Sequence, residues 1–290
     1  MSLLSRLYLR LISAMEVEGL EIPLAGVRFY RQEEAVPEAL REYAPGQISL
    51  TSCQAARQAA SGDVVLLTRE NIGCIAAAVS LGLVDENQET PLEGSRVYTD
   101  LMKAQSGMGE QFHAPTPKDF TDGTVYACRE SHRADFCLFG AEDSGRYRSR
   151  EIARQAIRDM AAIQPPVMQA VFFFSLEFDE LDLRPDVVVL RVRPVELARI
   201  VQAYSYNSGR RVTASMGPLR AVNSDLIVRP YLTGEINVSP FCLGSRLIAE
   251  YEADRMGMGI PFALFEEIVA GMEDSRTGFP FPLYRGARGL

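Results

Sequence analysis

Three of the five cysteines, Cys53, Cys74 and Cys242, lie where helices are predicted to begin. A helix start offers unpaired N–H groups and about half a positive charge, which together stabilise a thiolate or an anionic ligand. Three sulfurs presented in this way could hold a metal ion or an iron–sulfur cluster. Their spacings match no short motif such as Cys-x-x-Cys, so a site would require three distant helix starts to converge in the fold.

Two of these starts fall in one stretch, residues 49–83, which reads as helix, strand, helix. Thr51 as N-cap would place Cys53 in the first turn of one helix, and Asn71 as N-cap would place Cys74 in the first turn of the next. Between them, DVVLLT at residues 63–68 is typical of a strand buried on both faces.

The third start is predicted at Ser239, which would cap a helix that has Pro240 at its first position and Cys242 soon after. Arg246 follows one helical turn later and so shares a face with the cysteine. Its guanidinium could neutralise a cluster or a substrate carboxylate, or it could form an ion pair with Glu250.

The alternative for these cysteines is structural, because a thiol is a small apolar group that is often buried. Cys128 and Cys137 lie on two further predicted strands, 124–129 and 134–139, and buried filler is the favoured role for both. Cys128 is the reserve candidate for a fourth ligand.

Other catalytic patterns are sparse. His113 and His132 are the only histidines, both in predicted loops, and no nucleophile–histidine set can be assembled around them. The glycine-rich residues 106–109 do not follow a predicted strand, so they do not support a nucleotide-binding loop. An arginine cluster around Arg148 could bind an anion or could pair with neighbouring acidic residues.

Composition narrows the class of protein. The 290 residues carry a formal net charge of −8, which argues against nucleic acid as a partner. No stretch approaches the roughly 20 apolar residues of a membrane span, and the N-terminus does not resemble a signal peptide. An odd number of dispersed cysteines favours a reducing cytoplasm over a disulfide scaffold.

The order of elements predicts an α/β fold of the mixed α+β type, with helices packed on a mixed sheet. We expect a single domain, or one domain of two lobes, with its core at about residues 22–272. An amphipathic helix at 1–19 precedes this core, and a loose tail at 278–290 follows it. The clearest further elements are strands at 22–30, 167–176 and 187–192, and helices at 91–104, 148–163, 194–206 and 261–272. Residues 105–123 are predicted to be irregular.

An ordered series of short motifs extends over nearly the whole chain, from residue 25 to about residue 272. They are Cys53 with Ala59-Ala60-x-Gly62, Cys74 with Leu81-Gly82-Leu83, Pro185-Asp186-Val187-Val188, Pro230, Gly234, Asn237, Ser239, Cys242, Gly244, Arg246 and Ile260-Pro261. In this order they resemble the uncharacterised prokaryotic family known as domain of unknown function 169. The resemblance implies that the three cysteines occupy recurrent positions, but it implies no activity. It also implies a further cysteine in many members a little before Pro230, where this chain has AVNS at 221–224.

The leading hypothesis is a cytoplasmic, cofactor-binding protein for electron transfer or reductive chemistry, with an iron–sulfur cluster held by Cys53, Cys74 and Cys242. Iron is preferred to zinc because the candidate ligands are all sulfur and histidine is scarce. A small molecule or a redox partner protein would then be the partner, and homo-oligomerisation is left open. The alternatives are a metal-free binder of a small anion that uses Arg246 and the arginines around Arg148, and an accessory oligomeric subunit whose cysteines are structural. The sequence does not decide whether the chain is an enzyme.

Overall fold

The structure, a computed structural model, has the predicted mixed α/β fold. It describes residues 2–15, 20–46, 49–106, 109–126, 147–164, 167–175, 178, 181 and 183–275.

Six strands are present in the described residues, and four of them coincide closely with predicted strands. They are β1 (Leu24–Arg31), β2 (Val64–Thr68), β3 (Met168–Phe174), β4 (Val187–Val192), β5 (Asn237–Ser239) and β6 (Met256–Pro261). They form a sheet in the order β2-β3-β1-β4-β6-β5. The pairs β1–β4, β4–β6 and β5–β6 are antiparallel.

Helices occupy the connections between most of the strands. They are α1 (Leu3–Ala14), α2 (Glu38–Arg41), α3 (Ser52–Ala60), α4 (Ile75–Ser80), α5 (Arg96–Ser106), α6 (Pro117–Thr121), α7 (Arg150–Arg158), α8 (Pro194–Ser208), α9 (Arg229–Thr233), α10 (Leu243–Ile248) and α11 (Phe262–Asp274). Short 3₁₀ turns lie at Glu93–Ser95, Gly109–Gln111 and Thr124–Tyr126, and a π-helix extends over Ala221–Val228.

The chain divides into two compact units. Unit 1 comprises residues 1–28, 56–64 and 173–290, and unit 2 comprises residues 29–55 and 65–172. This division does not test the prediction of a single domain, or of one domain with two lobes, which stays a prediction.

The N-terminal helix is amphipathic, as predicted. Leu4, Leu7 and Leu11 recur on one face of α1 and are buried, and the Ser2 side chain accepts a hydrogen bond from the N–H of Ser5 at its start. The helix ends at residue 14, earlier than the predicted residue 19, and residues 16–19 lie outside the described part. No helix of the described residues is long and apolar enough to cross a membrane.

Unit 1 has its core around β4. All six residues of this VVVLRV strand are buried, because β1 and β6 pair with its two edges and the π-helix, α8 and α11 contact it. Arg191 is buried with them and forms an ion pair with Glu252, its Nε lying 3.1 Å from a carboxylate oxygen. Pairing is what allows a charged side chain to be buried here.

Two glycines of β6 allow the π-helix to pack closely against the strand. A Cβ at Gly259 would lie 1.9 Å from the carbonyl oxygen of Leu226, and a Cβ at Gly257 would lie 2.1 Å from the Leu226 side chain. The backbone of the π-helix thus lies directly on the strand, at a separation that only glycine permits.

Parts of the chain differ from the sequence-based expectation. The predicted strand at 124–129 is wrong at its start, where residues 124–126 form a 3₁₀ turn, and the rest of that strand and the one at 134–139 lie outside the described residues. Residues 105–123, expected to be irregular, contain α6, which begins with a reciprocal cap between Thr116 and Asp119. The predicted tail at 278–290 also lies outside the described residues.

Replacing Gly259 with alanine should destabilise the protein by about 2 kcal/mol or more, because the new methyl group would meet a backbone oxygen that cannot rotate away. Urea unfolding would measure this change as a lower midpoint. Gly217→Ala is the matched control, since its Cβ would have no heavy atom within 4 Å. Equal midpoints for the two variants would contradict the close approach.

Candidate functional site

Cys53 lies in the first turn of α3, as predicted. The Thr51 side chain accepts a hydrogen bond from the N–H of Gln54, and the Gln54 side chain accepts one from the N–H of Thr51. This reciprocal cap fixes where the helix begins. Cys53 is half-buried and forms no disulfide.

Cys74 also lies at a helix start, but as the N-cap residue it is three positions earlier in the helix than the sequence predicts. Asn71 is not the N-cap of α4, because its side chain instead pairs with the backbone of Thr68 and Leu66 at the end of β2. Cys74 itself is the N-cap residue, in extended conformation, and its side chain makes no capping hydrogen bond. Like Cys53, it is half-buried and forms no disulfide.

The two starts lie beside each other in unit 2. Leu50 and Ile72 form a parallel bridge, and the N–H of Gly73 donates to the Leu50 carbonyl at 2.8 Å. Each segment then continues into its helix, with Cys53 three residues beyond the bridge on one side and Cys74 two residues beyond it on the other. A parallel bridge aligns neighbouring chains in the same direction. The sequence-predicted pair is therefore presented from adjacent segments.

Cys242 lies in unit 1, where it is buried and is the N-cap residue of α10. The prediction that Ser239 caps this helix is wrong, because Ser239 is the last residue of β5. Cys242 instead takes part in a cap with Ser245, whose hydroxyl lies 3.6 Å from the sulfur and accepts a hydrogen bond from the Cys242 N–H. Phe241, just before it, has a positive φ of 67°, which is unusual for a bulky residue.

Arg246 is held by backbone carbonyl groups. Its two terminal nitrogens donate to the carbonyls of Glu252, Pro240 and Arg255, at 2.7, 2.8 and 3.3 Å. The guanidinium also lies over the Phe241 ring, 5.6 Å from its centroid. These contacts fasten the turn that carries Cys242, and they engage donors that an anionic ligand would need. The alternative pair with Glu250 does not form, since Glu250 pairs with Arg57 at 2.6 Å.

Two further polar candidates, Arg150 and His113, are placed by the structure. Arg150, from the cluster around Arg148, contacts Asp122 and Thr124. His113 is exposed and lines an open groove of about 810 Å³. The charged side chains of this groove have protein partners: Glu89 pairs with Lys118, Asp119 with Thr116, and Asp122 with Arg150.

No group of three or more His, Cys, Asp or Glu side chains is arranged to hold a metal ion in the part of the chain that the structure describes. Cys128, the reserve ligand, lies outside that part, as do Cys137 and His132. The three-cysteine metal site with Arg246 beside it stays a prediction.

Sequence reasoning missed a buried polar cluster in unit 1. Asp225, on the π-helix, is 6% exposed, and its carboxyl accepts hydrogen bonds from the N–H of Gly217, at 3.3 Å, and from the Ser239 hydroxyl. Burial raises the pKa of Asp225 to about 7, although both hydrogen bonds and the charge of Arg229 act to lower it. A carboxyl with such a pKa can exchange protons at neutral pH.

Asn237 of β5 connects this cluster to the loop at Ser215 by hydrogen bonds. Its side-chain amide donates to the carbonyls of Ser215 and Asp225 and accepts from the N–H of Ser215. The only sequence signal was a group of polar residues, NSD at 223–225, inside an apolar run. No helix or strand period fits that run, because the π-helix has a different repeat from either.

Arg246→Lys should lower the free energy of unfolding of the metal-free protein by about 1–2 kcal/mol. The variant keeps the charge, but an ammonium group lacks the planar fork that reaches three carbonyls. Urea denaturation would measure the loss. Arg96→Lys is the control, because Arg96 is 83% exposed and its contact with Asp100 is 3.9 Å long. An unchanged Arg246→Lys protein would contradict the structural role and favour a ligand-binding one.

Comparison with known proteins confirms the family resemblance. The family model named domain of unknown function 169, described as uncharacterised ArCR, matches residues 15–271. The chain matches no curated protein and no solved structure. Since the matched segment covers most of its length, the chain belongs to the domain of unknown function 169 family.

Proposed function

We propose that this protein binds a sulfur-ligated cofactor, an iron–sulfur cluster in the first instance, and acts in electron transfer or reductive chemistry. The observation that supports the proposal is the pairing of Leu50 with Ile72, which sets the segments leading to Cys53 and Cys74 side by side. Iron–sulfur clusters are held by cysteine thiolates, so two cysteines on neighbouring segments could supply two of the ligands.

The surroundings of the pair suit a metal ligand. Both cysteines are half-buried, so a cofactor could reach them while one side stays shielded from water. Cys53 lies in the first turn of α3, where the partial positive charge of the helix start stabilises a thiolate. Sulfur ligands favour iron–sulfur clusters, copper(I) or zinc, and the scarcity of histidine favours iron.

A pair of thiolates does not complete a cluster site, which commonly has four ligands. Cys242 is the proposed third ligand and Cys128 the reserve, both on sequence grounds. A non-protein ligand in an open position would let the cluster bind substrate directly. The choice between an enzyme and an electron carrier depends on that position.

Purification without oxygen is the first test. The wild-type protein should be brown and should contain iron and acid-labile sulfide at about one cluster per chain. Cys53→Ser and Cys74→Ser should each lose most of the iron, measured by metal analysis and visible absorption. Cys137→Ser is the matched control and should keep it, since that cysteine is expected to be filler.

Variants of Cys242 and Cys128 then identify the remaining ligands by the same measurements. Circular dichroism of each variant separates loss of ligand from loss of fold. A wild-type protein that stays colourless and iron-free after anaerobic reconstitution would refute the cluster. Full iron content in a folded Cys53→Ser, Cys74→Ser double variant would refute the pair.

A further inference from the structure

The carboxyl group of Asp225 connects three parts of unit 1. It belongs to the π-helix, it accepts a hydrogen bond from Gly217 in the preceding loop, and it accepts another from Ser239 at the end of β5. The Ser239 hydroxyl also accepts a hydrogen bond from the N–H of Phe241, the residue before Cys242. Contacts at one buried carboxyl thus reach the turn on which Cys242 lies.

Few charges surround this carboxyl. The π-helix contacts β4, β5, β6 and α9, of which β5 and β6 carry no ionisable side chain. Arg191 on β4 is paired with Glu252, and α9 contributes Tyr231 and Arg229, the latter favouring the ionised carboxyl.

The loop that carries Gly217 is a further neighbour, and its ionisable side chains are arginines. Arg220 is buried, Arg210 pairs with Glu235, and Arg211 is exposed. Loss of hydration on burial outweighs the two hydrogen bonds and the attraction of Arg229, so below about pH 7 the neutral carboxyl is favoured in the closed cluster.

We propose that Asp225 acts as a proton-controlled latch: its neutral carboxyl keeps the π-helix, the loop at 215–217 and β5 closed together, and its ionisation makes this region open more readily. The latch does not depend on the cofactor proposed above, because every contact that forms it lies within unit 1 and involves no cysteine side chain.

The sign of the effect follows from the two protonation equilibria. In the open region the pKa of Asp225 returns toward its ordinary value of 3.8, whereas in the closed region it is about 7. Between these values the closed form holds a proton that the open form has lost, so the opening equilibrium rises about tenfold per pH unit. From pH 5 to pH 7 the rise is on the order of fifty-fold, and above the closed-state pKa it levels off.

Hydrogen exchange followed by mass spectrometry tests the latch in the full-length, metal-free protein. Exchange rates of peptides within residues 215–242, divided by the intrinsic rates at each pH, should rise on the order of fifty-fold from pH 5 to pH 7 and then level off. In Asp225→Asn, which is neutral at every pH and close in shape, the corrected rates should stay flat. Peptides within residues 194–208 of α8 serve as the internal reference.

A second pair of variants applies if Asp225→Asn does not fold. Arg229→Gln removes the nearby charge that favours ionisation, so the pH at which exchange levels off should move upward. Arg211→Gln, an exposed arginine, should leave it unchanged. Wild-type exchange that is independent of pH between 5 and 7 would overturn the latch, as would identical profiles for the two arginine variants.

Discussion

The contact between Leu226 and the two glycines of β6 is the constraint on which the rest of unit 1 depends. Because Gly257 and Gly259 have no side chains, the π-helix can lie directly on the strand and become wholly buried. Its polar groups then have no water to bind, so they must be satisfied by protein groups. Asn237 and Ser239 of β5 meet that need, and β5 leads directly to the turn of Cys242.

Several neighbouring contacts hold the turn that carries Cys242 in one conformation. Phe241 adopts a positive φ, a conformation that costs free energy and persists only where surrounding contacts hold it. Its ring packs edge-on against Tyr251 at 4.7 Å, and Arg246 binds carbonyls on both sides of α10. Such rigidity suits a thiol that has to be presented in one orientation, and it equally suits a buried structural cysteine.

The sequence predicted elements well where one period dominates. The run VVVLRV is apolar except for Arg191 and is β4, and Pro194 and Gly209 bracket α8 as a favoured first position and a left-handed cap. Strand β6 was not predicted, because MGMGIP has a single β-branched residue, Ile260, and two glycines, which contact Leu226. The caps at Asn71 and Ser239 were wrong because both side chains bind elsewhere. The side-by-side placement of Cys53 and Cys74 depends on a bridge between residues 22 apart, which no local pattern encodes.

Strand β5 ends the sheet next to β6 and is only three residues long. The side-chain amide of Asn237 hydrogen-bonds to the backbone of Ser215 as a neighbouring peptide group would: it donates to the Ser215 carbonyl and accepts from the Ser215 N–H. An edge of this length offers a second molecule few unpaired backbone groups on which to add a strand. This margin of unit 1 is thereby protected against the intermolecular strand pairing that starts aggregation.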